Sequence, residues 1–353
     1  MIPVNKKIVV LHPYLNNKWW AVNMMIYLSN FLSNKNNVDL YTFSYDKNCF
    51  PNIENNFNIK YFKNSKLISI FKIAYSIRKS DYIFIWNSPM HFVWVISKVI
   101  FNSKAKIIWW NHHYPWYYNK KTNVYIKIKK YIEKCIIKSI DIIIVNSLYL
   151  QKVIKDIYKI NSKILHPVLD DKFLNYKSNK KLFISNTIFS YGRWSKWKNL
   201  EMIFNTYENL KERLPNLILK VWWDWIELNK FKNKYKNEDN VKFLWTIDKN
   251  EIIKNLENSS LFLFPSKIDS FGLVILESMS IWLPVISYNI NWAKEIIKNG
   301  FNWYLVDSDF EFIEKSYSIL ISSSLKNKLY LWSVKTAKQF WNQTFNKQLS
   351  KIF

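Results

Sequence analysis

PSKIDSFGLVILESMSIWLP, residues Pro265 to Pro284, is the stretch on which the reading of this chain turns. The run LFLFPS that leads into it reads as a buried strand, Gly272 opens a helix, and PVISY beyond it reads as the next strand. Strand, loop, helix and strand in that order form the unit of a parallel sheet covered by helices. Asp269 and Glu277 are separated by seven residues, so the first carboxylate lies in the loop and the second about a turn into the helix. Free backbone N–H groups and a positive helix end beside a carboxylate suit a sugar diphosphate, with N–H groups to phosphate and carboxylates to hydroxyls.

The same rhythm extends outward from this segment. KIVVLH, VDLYTF, YIFI, KIIWW and IDIIIVN read as buried strands of the first half, and LILKV, VKFLW, LFLFPS and PVISY as those of the second. Helix-length amphipathic segments such as Ala21 to Leu32 and Val124 to Ile140 lie between them. Two doubly wound α/β domains are the simplest architecture, with a boundary near HPVLDDKFLNYKSNKK, where Pro167 and a polar, charged run separate two periodic regions. Ligands of open α/β sheets bind beyond the carboxyl ends of the strands. The loops LHPYLNNKWW, KIIWWNHHYPWYY, SYGRWSKWKN and PSKIDSFGLVILES are therefore where chemistry is expected.

At 353 residues and 49% hydrophobic, the chain is large enough for two cores. No run approaches the roughly 18 to 20 apolar residues of a membrane-spanning helix. MIPVNKKIVVLHP reads as a first strand and not a signal peptide, so a cytoplasmic location is expected. Cys49 and Cys135 have no disulfide partner pattern or metal-ligand spacing and read as reduced packing residues. Residues 1–170 carry 25 Lys/Arg against 8 Asp/Glu, a net +17 of the formal +26. The segments 62–79 and 119–140 interleave Lys with Ile, Tyr and Phe, which suits either an anionic membrane surface or a solvated lysine face over the sheet. Charge alone would also allow nucleic acid, but no recognition motif accompanies it.

The composition has one large anomaly: 18 Trp and only 3 Gly. In KNGFNWYLV, Asn299-Gly300 is followed by Asn302-Trp303 just before an apolar run, where a turn with φ > 0 would favour glycine. We read several of these tryptophans as glycines of the working protein, encoded by UGA, a codon that some genetic codes translate as Trp and at least one as Gly. The other reading is an unusually Trp-rich chain.

Order and spacing of these motifs together resemble the retaining GT-B glycosyltransferases of the large family 4, also called glycosyl transferases group 1. Their mark is Glu-x7-Glu followed by a small-residue helix, Gly and Pro-Val. YGRWSKWKN resembles the family's Gly-Arg-x4-Lys segment, LKVWWDWIEL its Gly-Asp-Gly turn, VKFLWTIDKNEI its Phe-x-Gly segment, and His113-Tyr114-Pro115 its His-x-Pro segment. The resemblance covers nearly the whole chain and is strongest over 181–307. It implies two Rossmann-like domains with a cleft between them. Residues 1–170 would bind the acceptor, 171–330 the nucleotide sugar, and the C-terminal helix within 331–353 would cross back to the first domain.

The resemblance implies transfer of a sugar from a nucleotide-diphosphate sugar to a glycan, lipid-linked or other acceptor, with retention of configuration and without metal or cofactor. It assigns the ribose to Glu277 and the donor sugar to Asp269 and His113, with His112 as the neighbouring alternative. Arg193 and Lys198 would neutralise the leaving diphosphate. Gly192 and the backbone of Phe271, Gly272, Leu273 and Val274 would cradle it, and Trp19-Trp20 occupies the family's Gly-Gly slot. Asp replaces Glu at 269, shortening the reach by one methylene. Trp stands at family glycine positions 19, 20, 223, 225, 245, 282 and 303, and less clearly at 197, 222 and 292, whereas Trp109, Trp110 and Trp116 meet no glycine demand. Two rivals remain at this level: a non-catalytic nucleotide-sugar-binding protein and a basic scaffold for lipid or nucleic acid.

Overall fold

The computed structural model describes residues 3–16, 20–49, 56–62, 66–86, 90–112, 124–176, 185–193, 196–224, 228–245, 248–340 and 342–353. The chain divides into two compact units, Met1–Pro167 with Phe345–Phe353, and Val168–Thr344.

The first unit is built on strands β1 (Lys7–Leu11), β3 (Asn37–Thr42), β5 (Asn58–Tyr61), β6 (Tyr82–Ile85), β7 (Lys106–Asn111), β8 (Ile142–Val145) and β9 (Lys163–Ile164), with a small pair formed by β2 (Tyr14–Leu15) and β4 (Ser44–Tyr45). The main sheet is parallel in the order β5-β3-β1-β6-β7-β8-β9. Its central strands are continuous runs of Ile, Val and Phe because helices bury both faces. Those helices are α1 (Trp20–Ser33), α2 (Lys66–Ser76), α3 (Met90–Val99), α4 (Val124–Lys138) and α5 (Leu148–Tyr158). The crossovers through α2, α3, α4 and α5 all step the same way along the sheet, and the one through α1 steps the opposite way. Right-handed connections therefore put α1 on one face and the other four on the opposite face. Helix α5 starts at an N-cap, with the Ser147 hydroxyl accepting from the Leu150 N–H at 3.0 Å.

The second unit begins with the short helix α6 (Asp171–Leu174) and carries strands β10 (Thr187–Arg193), β11 (Ile218–Asp224), β12 (Val241–Phe243), β13 (Leu261–Phe264), β14 (Val285–Tyr288) and β15 (Tyr304–Val306). These are parallel in the order β12-β11-β10-β13-β14-β15. The connecting helices are α7 (Leu200–Lys211), α8 (Leu228–Lys234), α9 (Lys249–Glu257) and α10 (Leu273–Ser280), followed by α11 (Asp309–Ile321) and α12 (Ser323–Lys338). Asp248 and Glu251 close a reciprocal capping box on α9.

The runs read as strands in the sequence are strands here. The helix expected over Ala21–Leu32 spans Trp20–Ser33, and that over Val124–Ile140 spans Val124–Lys138. The C-terminal stretch 331–353, expected as one helix, instead holds the end of α12 and a separate helix α13 (Asn342–Ser350). From Phe345 onward the chain belongs to the first unit, where Phe345 meets Tyr27 of α1 edge-on at 5.2 Å and the Gln348 side chain accepts from the His166 N–H at 2.9 Å. Cys135, expected as a packing residue, is exposed on α4 because it lies on that helix's outer face. Among the described residues no helix is long and apolar enough to cross a membrane, and no three His, Cys, Asp or Glu side chains form a metal-ligating group.

Candidate active site at the carboxyl edge of the second sheet

In the second unit the chain lays down β10, β11 and β12 in one direction, then returns to place β13 on the other side of β10. That reversal between β10 and β13 is the topological switch point at which open α/β sheets bind ligands. The loops leaving these two strands are the segments singled out in the sequence: Tyr191-Gly192-Arg193 runs on to the short helical turn Lys196–Lys198, and Pro265 to Gly272 leads into α10. A backbone bond from the Lys267 N–H to the Trp197 carbonyl, 2.8 Å, ties the two loops together.

Asp269 is held by its own loop, its Oδ1 accepting from the N–H groups of Ser270 (2.6 Å) and Phe271 (3.2 Å). Its Oδ2 accepts from the Lys198 ammonium, which also lies over the Phe264 ring at 4.6 Å. Burial pushes the Asp269 carboxyl up, but Lys198 and the two backbone donors outweigh it and hold the group below its ordinary value. Both side chains are mostly buried, and the pair is thus a preorganised charge couple at the strand ends.

Glu277 lies in the second turn of α10 and accepts from the Tyr191 hydroxyl through Oε2. Burial raises its pKa, the Tyr191 bond and Lys249 act to lower it, and Asp170 adds to the rise. Lys249 is itself ion-paired with Asp170, the N-cap of α6. Burial first, then Glu277, raises the Tyr191 phenol well above its usual value, which keeps it a donor. Tyr191, Lys249 and Asp170 were not legible as site residues, because they meet Glu277 only through tertiary contacts, across 86 residues in the case of Tyr191.

Gly272 is the N-cap of α10 at φ +82°, a left-handed conformation that favours glycine, so Leu273 and Val274 open the helix with their N–H groups at its positive end. Gly192 lies in β10 beside Tyr191 and opposite Trp223 of β11. The structure thus gathers Lys198, Asp269, Phe271, Gly272, Leu273, Val274, Glu277 and Gly192 on one edge of one sheet. Arg193 ends β10 in register with Asp224, and its side chain lies outside the described residues. His113 and Trp19 lie outside them too, and Trp20 is described only as the first residue of α1. His112, the alternative, is buried at the carboxyl end of β7 and stacked on Trp86 at 3.6 Å.

The tryptophans separate into distinct environments. Trp282 follows Ile281, the C-cap of α10, at φ +67°, donating its N–H to the Met279 carbonyl (3.2 Å) while the Leu283 N–H bonds the Ser278 carbonyl (3.0 Å). Those two bonds are the Schellman end of a helix, whose left-handed residue is usually glycine. The buried ring of Trp223 lies 3.1 Å from where a Cβ on Gly192 would stand, and that of Trp292 lies 2.5 Å from the corresponding point on Gly272. These indoles cover the backbone at both site glycines. Trp303 is a correction: the left-handed residue of its turn is Gly300, φ +72°, whose N–H donates to the Trp303 carbonyl at 2.9 Å, while Trp303 itself is buried outside the left-handed region. Trp197, Trp222 and Trp245 also lie outside that region, and Trp245 is exposed under Lys232. Trp225 and Trp116 fall outside the described residues.

Comparison with known proteins adds a set of similarities. Residues 175–330 match the model described as Glycosyl transferases group 1. An uncharacterized 41.2 kDa protein in the cps region of Klebsiella pneumoniae is 26% identical over 71% of this chain and 70% of its own length. The Escherichia coli UDP-Gal:alpha-D-GlcNAc-diphosphoundecaprenol alpha-1,3-galactosyltransferase is 29% identical over 39% of this chain and 36% of its own. Several other curated relatives are matched over less than half their length, as with an uncharacterized glycosyltransferase of Haemophilus influenzae at 44%. Among solved structures, Anabaena Alr3699/HepE in complex with UDP and glucose superposes with a TM-score of 0.80 at 16% identity, covering 98% of this chain and 99% of that one. The fold is thus α/β with two Rossmann-like halves, as in the solved GT-B glycosyltransferase structures.

Proposed function

We propose that this protein is a glycosyltransferase that takes a sugar from a nucleotide-diphosphate donor. The observation that carries the reading is the Lys198–Asp269 pair set against the N-terminus of α10 at the switch point, with Glu277 buried on the same helix. The α10 N–H groups and Lys198 face the diphosphate. Lys198 has three donor protons, of which Asp269 engages one, so two remain for phosphate oxygens. Charge that develops on the departing diphosphate meets fixed donors and a cation in a partly buried site, where such stabilisation is largest. Glu277 accepts the ribose hydroxyls through the oxygen that Tyr191 leaves free, Asp269 contacts the donor sugar, and Arg193 adds a second permanent charge.

In this reading transfer retains configuration without a metal or cofactor, the leaving diphosphate helps deprotonate the acceptor hydroxyl, and His113 stands near the donor sugar. The acceptor is a glycan or a lipid-linked sugar of the cell envelope, a reading supported by the diphosphoundecaprenol-linked substrate in the name of the Escherichia coli relative. A second reading, nucleotide-sugar binding without turnover, is favoured by the indoles over Gly192 and Gly272 if they are present in the native protein. Purified protein incubated with UDP-, GDP- and ADP-sugars separates the two by release of the nucleotide diphosphate. Glu277→Ala is expected to weaken donor binding. Lys198→Ala and Arg193→Ala are expected to lower turnover by about 10²- to 10³-fold, the loss typical of one stabilising donor. Wild-type rates in all three variants would remove the site assignment.

A further inference from the structure

The outer face of the helical layer in the first unit pairs apolar side chains with lysines in a way the donor site does not use. On α4, Val124, Ile128, Tyr131, Ile132 and Cys135 form one stripe at helical spacing, and all are exposed, Val124 and Tyr131 by more than 70%. The inward face of that helix carries Ile136 and Ile137 against the core. Lys127, Lys134 and Lys138 flank the outer stripe on one side. Helix α2 repeats the pattern with Leu67, Ile68, Phe71 and Tyr75 outward and Ile73, Ala74 and Ile77 inward. Tyr75 meets Phe101 edge-on at 5.4 Å, which joins this stripe to exposed Val99 and Ile100 at the end of α3.

Crossover direction puts α2, α3 and α4 on the same face of the sheet, so the stripes belong to one surface. These three helices hold eight lysines and a single acid, Glu133. Glu133 is turned away from the stripe, accepting from the Tyr158 hydroxyl of α5 at 2.9 Å. Exposed aliphatic groups beside Lys127, Lys134 and Lys138, with Glu133 withdrawn, match the chemistry of a bilayer interface: acyl chains for Leu, Ile and Val, anionic headgroups for lysine. A nucleic acid would engage the lysines and aromatic rings but leave the aliphatic groups without a partner.

We infer that the α2–α4 face of the first unit lies on an anionic lipid surface, its apolar stripes entering the headgroup boundary. Exposed Cys135 reports this directly. In a Cys49→Ser background an environment-sensitive fluorophore on Cys135 should shift to the blue with phosphatidylglycerol-containing vesicles, and stay unshifted with pure phosphatidylcholine or with single-stranded RNA. Ile128→Glu/Ile132→Glu should lower vesicle sedimentation at least tenfold with an unchanged circular dichroism spectrum. Lys127→Glu/Lys134→Glu/Lys138→Glu should do the same and flatten its dependence on salt. A shift with RNA instead, a salt-insensitive response equal on neutral and anionic vesicles, or a dimer in sedimentation velocity that Ile128→Glu dissociates would overturn the inference in favour of nucleic acid, simple hydrophobic adsorption or self-association.

Discussion

The tryptophans at the end of β7 and those around α10 show what the same residue does in two settings. In the first unit Trp109 and Trp110 lie on a regular strand among aromatic partners: Trp109 donates to the Trp86 carbonyl at 3.1 Å, and Trp110 meets Trp86 at 5.3 Å and Phe345 at 5.8 Å. In the second unit Trp282 stands at a left-handed helix end, while Trp223 and Trp292 press on the two site glycines. Buried indole nitrogens without a hydrogen-bond partner occur in both, at Trp110 as well as at Trp223 and Trp292, so polar satisfaction does not separate them. Backbone conformation and contact with glycine do. The first set lies in an aromatic core; in the second, Trp282 stands where its own backbone favours glycine, and Trp223 and Trp292 lie against glycines.

The largest expected effect breaks this comparison if it is wrong. Trp110→Gly should cost about 3–5 kcal/mol, as for loss of a large buried aromatic. The triple variant Trp223→Gly/Trp282→Gly/Trp292→Gly should instead keep a cooperative melt and bind a nucleoside diphosphate at least tenfold more tightly by calorimetry. A triple variant as unstable as Trp110→Gly, or native-protein mass spectra with indole at all three positions, would place both sets in one class. The coding triplets give the same test, with UGA expected at 223, 282 and 292, and UGG at 109 and 110.

The two units should also differ in acid. Burial lowers the pKa of His12 to about 4, against a smaller opposing bond from the Tyr14 carbonyl, and burial lowers His91 to about 4 as well. The folded state then favours the neutral ring, so each contribution is present above the unfolded pKa near 6.5 and is lost as pH falls from 6.5 to 4, up to about 3 kcal/mol apiece. In the second unit Asp269 titrates below its ordinary value of 3.8, so its contribution is lost only below that pH. Glu277 is shifted the opposite way, favouring the fold below about 4.5 and losing that contribution as pH rises through its raised value. Hydrogen exchange in a pH series should therefore find the first unit loosening before the second between pH 6.5 and 4. Simultaneous loosening would rule out the histidine account.

A smaller effect sharpens the role of the second unit. Tyr191→Phe removes a hydrogen bond to a carboxylate, a contribution of about 1.5–3 kcal/mol. Because that bond lowers the Glu277 pKa, its loss should move the acid limb of donor binding to higher pH and raise KM for the donor with kcat unchanged. A variant that only lost stability would leave the limb in place. The smallest change is Trp282→Gly alone, expected to raise stability by about 1 kcal/mol through relief of the left-handed strain. A lower melting temperature in that variant would show that the side chain contributes more packing than the backbone loses.

The sequence by itself determined the α/β architecture, since apolar runs of β-branched residues separated by amphipathic helices leave few alternatives to parallel sheets. It also located the loops at the carboxyl ends of β10 and β13: local chain geometry singled out Asp269 and Gly272, and the resemblance to a Gly-Arg-x4-Lys segment singled out Lys198. Only the tertiary structure decided that Lys198 pairs with Asp269, that Tyr191, Lys249 and Asp170 set the environment of Glu277, and that the left-handed position belongs to Trp282 and Gly300 while Trp303 is spared. It likewise turned Glu133 inward and left the apolar stripes of α2 and α4 outside. The reason is the range of the interactions: helix and strand periodicity is written within a few residues, whereas side-chain charge coupling, glycine contact and the sign of φ at a helix end depend on which segments the fold brings together.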